Sequence, residues 1–356
     1  MATWQDPIQL GETELKNRLA MAPMTRNRAT REGVPTTLMV EYYRQRATMG
    51  LLITEGTQPS AEGQGYMLTP GIYTDAQIKG WSEVAEAVHQ EGSALVIQIM
   101  HAGRVSHPGN TLGETIPVAP SAVDPGMTMY TTSGKFDIPT PRALALQELP
   151  SVIDEFRQAA RAAIEAGADG VELHSANGYL LHQFLSINTN QREDGYGGDV
   201  QGRARFVLEV ARAVVEEIGA DRVGIRLSPN NGAGNTEEGP DYGKTYQYLV
   251  KELNDLGLAY LHLMHIGDDE LLHWIRQNWS RVLIVNRPGT QADAIGTLIS
   301  EGLADMESVG QQVLANPDFI FRLRSGLDFN EADPATFYGG AETGYTDYPV
   351  AEPAAS

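Results

Sequence analysis

Short apolar runs rich in β-branched residues alternate along this chain with longer runs whose apolar positions recur every three or four residues. The first kind reads as buried strand and the second as amphipathic helix. Strand-like runs occupy 19–25, 50–58, 94–101, 170–175, 222–229, 259–265, 282–286 and 304–310. Helix-like runs fall between and after them, at 36–49, 76–90, 151–167, 204–219, 244–257, 269–279, 291–302 and 317–326. Helical runs repeatedly close on glycine, as at Gly92, Gly167 and Gly257, a residue suited to the position just beyond a helix. Strand–helix units repeated eight times predict an α/β protein whose parallel strands close into a (β/α)8 TIM barrel. The main rival is an open doubly wound sheet. That fold would carry a glycine-rich loop after its first strand, and "MAPMTRNRAT" has none.

One interruption breaks the rhythm. Residues 102–149, rich in Pro, Gly, Thr and Ser, separate the third strand from its helix. A connection of that length is uncommon without a role, and at this end of a barrel it predicts a cap over the active site. The chain is therefore read as one barrel domain over 1–350, with 102–149 as a capping insertion and 351–356 as a frayed tail.

Composition then narrows the chemistry. The 356 residues include no cysteine, which excludes disulfides, thiolate metal sites, iron–sulfur clusters and a cysteine nucleophile. The formal net charge of -20 argues against nucleic acid and anionic membranes as partners. The N-terminus shows no basic stretch followed by an apolar run, and nothing approaches the roughly 20 apolar residues that span a bilayer. A cytoplasmic protein, monomeric or homodimeric, is expected.

Barrel active sites lie at the C-terminal ends of the strands. Strand one delivers Pro23, Met24 and Thr25 there, and strand two Gly56. Strand three delivers Gln98 and Met100, two apart and so on one face. Strand four runs into "VELHSANGYLLHQFLSINTNQREDGYGG", which places His174, Asn177 and Tyr179 close together. Strand five adds Arg226, and the loops after strands seven and eight read "NRPG" and "SVGQQ", with Arg287, Gly289, Gly310 and Gln311. This set holds no carboxylate pair for glycoside chemistry, no metal-ligand spacing and no serine beside a base. Hydrogen-bond donors without a nucleophile point to a cofactor that carries the reaction. Glycine turns after strands seven and eight are where this fold holds a phosphate. A lone arginine among neutral donors suits an electron-accepting ring that becomes anionic on reduction.

The chain resembles the old yellow enzyme family of FMN-dependent ene-reductases, and within it the bacterial N-ethylmaleimide and xenobiotic reductase branch. The resemblance runs from "NRLAMAPMTRNRA" to "GYTDYP" and is carried by "HSANGYLLHQFLS", "NQREDGYGG", "GTQPSAEGQGY", "HAGRVSHP" and "LANPD". It implies non-covalent FMN, with NAD(P)H as hydride donor. It implies that Thr25 bonds the flavin carbonyl, that Gln98 and Arg226 bind the pyrimidine edge, and that Pro23, Met24 and Gly56 line the ring. His174 and Asn177 would grip a substrate carbonyl oxygen, Tyr179 would give the proton, and Tyr66 and Tyr345 would wall the pocket. The implied substrates are small activated alkenes: enones, enals, maleimides and nitroalkenes. A nitroester or nitroaromatic reductase would share the same site. A flavin- or ligand-binding barrel without turnover is the second alternative.

Two positions depart from the family pattern. Met100 stands where the family usually has tryptophan, which implies a roomier pocket and altered facial selectivity. The family usually reads Asn-Gly-Gly after strand seven and Gly-Arg after strand eight. Here Gln311 replaces the expected arginine while Arg287 has appeared on the neighbouring loop, so Arg287 is expected to supply the charge for the phosphate.

Overall fold

The computed structural model describes residues 2–351. Residues 352–356, most of the expected tail, lie outside the described residues. Eight parallel strands form a closed barrel in sequential order. They are Leu19–Met21, Leu51–Ile53, Ala94–Ile99, Gly170–Ser175, Val223–Leu227, Tyr260–Met264, Val282–Asn286 and Met306–Val309, here called strands one to eight. Strands one and two are shorter than the sequence pattern suggests. Pro23 has no N–H to offer a ladder, and Ala22 gives the last backbone bond, 3.0 Å to Val309.

The helices follow as expected, with one clear exception. Asp75–Gln90 starts on a reciprocal cap in which Thr74 accepts from the Gln77 N–H and Gln77 reaches back to Thr74. Val200–Ile218 starts on Asp199, whose side chain accepts from Gly202. The expected helix at 291–302 is reduced to a 3-10 turn, Ala292–Ala294, and the single turn Thr297–Ser300. Gly296 between them has φ 86°, a left-handed conformation that no helix continues through.

Three features escaped the strand–helix pattern. A hairpin of Ile8–Leu10 and Thr13–Leu15 precedes the barrel. The insertion at 102–149 contains its own antiparallel pair, Thr128–Thr131 with Gly134–Asp137, and a parallel pair, Val118–Ala119 with Arg142–Ala143. A short helix, Leu180–Leu185, lies inside the loop after strand four.

The barrel interior is graded along its axis. Its lower part is apolar: Ala20, Leu51, Val96, Ile284 and Met306 pack with Leu10 and Leu15 of the N-terminal hairpin, which plugs that end. A second, larger core fills the space between strands and helices. Two residues further along the same inward faces, the side chains become polar. Val96 gives way to Gln98, Ile284 to Asn286 and Met306 to Ser308, as the two-residue period of a strand requires. Register sets Gln98 beside Glu172, His174 beside Arg226, and Arg226 beside His262.

Candidate active site

The polar layer is a stitched network. Gln98 Nε2 donates to Glu172 Oε1 at 2.7 Å, and His262 Nδ1 meets Glu172 Oε2 at 2.8 Å. The other ring nitrogen of His262 lies 2.8 Å from Ser308 Oγ. Burial pushes the His262 pKa down, which favours a neutral ring that donates to the carboxylate and accepts from the serine. Burial works against the Glu172 charge. The His262 contact, Arg226 and the Gln98 amide outweigh it and hold the carboxyl below its usual range. Arg226 Nη2 donates to Asn286 Oδ1 at 3.1 Å, and Asn286 Nδ2 donates to the Ser308 carbonyl at 2.9 Å.

Arg226 is left with two buried nitrogens, Nε and Nη1, that no protein group accepts from. Unpaired donors on a buried guanidinium are costly, so they mark a place for a ligand. Arg226 lines a cleft of about 410 Å³. Pro23, Met24, Arg287, Gly289, Gly310 and Gln311 share that cleft, so most of the expected cofactor residues converge on one space. Thr25 follows directly, half-buried. Arg287 is not free there. Its Nη2 meets Glu307 at 3.2 Å and also reaches the Ala294 carbonyl and Thr297 Oγ1. Arg287 was expected to supply charge for the phosphate, and here it shares that charge with the Glu307 carboxylate.

The end of strand four and the loop after it bring His174, Asn177 and Tyr179 together. The His174 and Tyr179 rings meet edge to face at 5.0 Å between centroids. Asn177 has φ 54° and Gly178 φ 83°. Two successive left-handed residues fold the chain back on itself. A Cβ at Gly178 would also lie 2.3 Å from the Ala233 carbonyl, so only glycine fits. His182 and Gln183 rivet this turn from the next helical turn. The Gly178 N–H donates to His182 Nδ1 at 2.8 Å, and Gln183 Nε2 donates to the Gly178 carbonyl at 2.7 Å. His182 Nε2 bonds Glu238 Oε1 at 2.6 Å, and Glu238 also takes the Tyr246 hydroxyl and the Asn230 N–H. The motif "NGYLLHQ" is thus both site and scaffold.

Burial pushes the His174 pKa well down, helped by the positive charge of Arg226 beside it. The ring stays neutral, and its Nδ1 is buried without a partner. Burial likewise pushes the Tyr179 pKa well up, with Tyr66 and Tyr338 adding to it. Tyr179 therefore keeps its proton at any ordinary pH. Its hydroxyl lies 3.0 Å from that of Tyr66.

Met100 is buried and packs against Gly56; a Cβ on that glycine would lie 2.5 Å from the Met100 sulfur. Tyr345 is a correction. It was expected in the pocket wall with Tyr66, but its ring is fully buried and stacked on Tyr42 at 4.1 Å, beside the guanidinium groups of Arg26 and Arg28. Aromatic–arginine packing against the segment "TRNR" takes it out of the pocket. The exposed ring near enough to Tyr66 and Tyr179 to oppose their ionisation belongs to Tyr338. Over these phenols the insertion supplies a roof, in which Met127, Met129, Ile138 and Val105 pack with Tyr66 and Tyr179.

A family model described as NADH:flavin oxidoreductase / NADH oxidase matches residues 5–330. The chain belongs to this family, that of old yellow enzyme. Morphinone reductase in complex with tetrahydroNAD superimposes with a TM-score of 0.95 at 42% identity, over 99% of this chain and 98% of that one. The old yellow enzyme homologue from Zymomonas mobilis does so with a TM-score of 0.94 at 37% identity, over 98% of this chain and 99% of that one. Among sequence relatives, a chanoclavine-I aldehyde reductase from Penicillium roqueforti is 42% identical, covering 96% of this chain and 95% of its own length. A probable flavin mononucleotide-dependent alkene reductase from Leishmania infantum is 39% identical, covering 96% of each. This old yellow enzyme relative is thus an FMN-dependent oxidoreductase on a (β/α)8 barrel. The unpaired Arg226 nitrogens and the cleft between strands one, seven and eight fit that cofactor. Among the described residues, no helix is long and apolar enough to cross a membrane.

Proposed function

We propose that this protein reduces activated C=C bonds in small molecules, enones first, with NAD(P)H as the ultimate reductant. The observation that carries the reading is that neutral His174 of strand four, beside Arg226, meets Asn177 and protonated Tyr179 of the loop that follows. FMN, when bound, supplies the hydride. Every other task falls to the chain.

Gln98 and Arg226 hold the polar edge of the ring, with Pro23, Met24, Thr25 and Gly56 along it. Gly289, Gly310, Gln311 and Arg287 hold the phosphate end. Arg287 brings its charge already shared with Glu307, so its pull on a phosphate is weaker than that of a free guanidinium. His174 and Asn177 donate to the substrate's carbonyl oxygen and stabilise negative charge that develops there, as an oxyanion hole does. Tyr179 then gives its proton to the second alkene carbon. A phenol of raised pKa is still a strong acid toward a carbanion-like centre, and it is fully protonated when needed. Tyr66, 3.0 Å away, holds the Tyr179 hydroxyl and can return a proton to it. Tyr66, Tyr338, Met100 and the methionines of the cap frame the space for the substrate.

The motifs quoted above favour the bacterial N-ethylmaleimide and xenobiotic reductase branch, and we place the protein in the cytoplasm on its composition. Product analysis tests the function. Purified protein with NAD(P)H should convert 2-cyclohexen-1-one to cyclohexanone, and N-ethylmaleimide to its succinimide. Consumption of nitroesters or nitroaromatics with no turnover of either alkene would replace this reading by the nitro-reductase alternative.

A further inference from the structure

The side chain of Asn177 presents two opposite chemistries, an oxygen that accepts and a nitrogen that donates. Whichever one faces the pocket decides what the pocket binds. We infer that Asn231 makes this choice. It is a positioning residue that turns the Asn177 nitrogen toward the ligand and so selects a carbonyl oxygen over a hydroxyl. The inference deepens the alkene-reductase reading and rests on it.

The relay starts from a group whose polarity is fixed. The Ala233 backbone N–H can only donate, and it donates to Asn231 Oδ1 at 2.7 Å. Asn231 must then present Nδ2 on its other side. That nitrogen donates to Asn177 Oδ1 at 2.8 Å and also faces the Met264 sulfur at 3.6 Å, a weak acceptor. The Asn177 oxygen is therefore occupied, and its Nδ2 is the group left for a ligand. An amide whose orientation is ordinarily ambiguous is settled here by a relay of polarity.

Both ends of the relay are anchored. The Asn177 backbone is held in its left-handed turn by its own N–H, which donates to Ser228 Oγ at 2.8 Å. The loop that carries Ala233 is pinned by Arg104, whose Nη2 donates to the Gly234 and Asn235 carbonyls at 2.8 and 2.9 Å. Thr236 Oγ1 ties the same loop by donating to the Ala233 carbonyl at 2.8 Å. With neutral His174 as a second donor, the pocket offers two hydrogens and no acceptor from this pair. A carbonyl oxygen uses both. A hydroxyl can accept, but its own proton would lose its partner on entering.

Asn231→Asp tests this by inverting the relay. Aspartate keeps one oxygen for the Ala233 N–H and turns the other to Asn177. The Asn177 nitrogen must then rotate toward it, and its oxygen toward the pocket. The probes are 2-cyclohexen-1-one and 2-cyclohexen-1-ol. Each is titrated into the oxidised FMN-loaded protein without nicotinamide, followed by the visible absorption of the flavin. Wild type should prefer the ketone. In Asn231→Asp the ketone-to-alcohol affinity ratio should move about tenfold or more toward the alcohol. Asn231→Ala frees the amide to take either orientation and should move the ratio the same way by less, which covers the case where the aspartate variant does not fold. Equal weakening of both ligands, or an unchanged ratio, would mean that Asn231 only supports the loop, and would overturn the inference alone. Wild type that binds neither ligand would overturn the proposed function, and the inference with it.

Discussion

Replacing Glu55 by glutamine probes how the barrel mouth tolerates a buried charge. Glu55 directly precedes Gly56 at the end of strand two and is 1% exposed. Its Oε2 accepts from the Arg26 N–H at 3.3 Å, and its Oε1 lies 3.5 Å from the Tyr43 hydroxyl. Burial pushes its pKa from 4.5 up to about 7, against the opposing pull of Arg26 and Arg28. An acid whose pKa is raised on folding binds its proton more tightly in the folded state. Its contribution to stability is therefore most favourable below pH 4.5 and is lost as pH rises through about 7. At about 1.4 kcal/mol per pH unit, the ionised side chain costs roughly 3 kcal/mol above neutrality. Glutamine carries no charge to bury, but its extra N–H fits Tyr43 less well, which costs about 1 kcal/mol. Glu55→Gln should thus match wild type near pH 5 and exceed it by about 2 kcal/mol near pH 8. Urea unfolding at both pH values with saturating FMN measures this. A variant less stable than wild type at pH 8 would show that Arg26 and Arg28 need the carboxylate more than burial resists it, and would refute the reasoning.

Other outcomes follow from the site. Tyr179→Phe should slow proton-dependent alkene reduction by about 10²- to 10⁴-fold in stopped flow and leave flavin reduction by NAD(P)H near the wild-type rate; equal slowing of both steps would deny it the proton. Met100→Trp should change the enantiomer ratio of products from bulky enones, because a larger ring cannot lie on Gly56 as the methionine does; identical ratios would remove Met100 from specificity. Arg287→Ala should loosen FMN by about tenfold or more, as the loss of one charged hydrogen bond does; fluorescence titration that shows unchanged affinity would assign Arg287 to its Glu307 partner alone.

Much of this was legible in the sequence, and the reason is periodicity. Period-two alternation set Gln98 and Met100 on one inward face, and strand ends pointed to His174 and Arg226. The misses are of another kind. Glu172 was read as ordinary strand, although a carboxylate inside an apolar run signals a buried partner; that partner, His262, is 90 residues away. Asn231, Ser228 and Glu238 act on the strand-four loop from the loop after strand five, and no local pattern joins them. The segment 337–348 offers Tyr338, Tyr345 and Tyr348, and nothing in their spacing tells which ring turns toward the pocket. Arg26 and Arg28 decide it by drawing Tyr345 into their own stack. The helix expected at 291–302 failed at Gly296, where a glycine inside an apolar pattern marked a break instead of an end.

The central claim is that this chain transfers reducing equivalents from NAD(P)H through FMN to an activated alkene. Anaerobic reoxidation tests it most directly. The FMN-loaded protein is reduced with one equivalent of NADH, bleaching its visible absorption, and 2-cyclohexen-1-one is then added without oxygen. The account predicts that the yellow colour returns and that one cyclohexanone forms per flavin. A protein that NADH reduces but that stays bleached with the enone, maleimide and nitroalkene alike would contradict it.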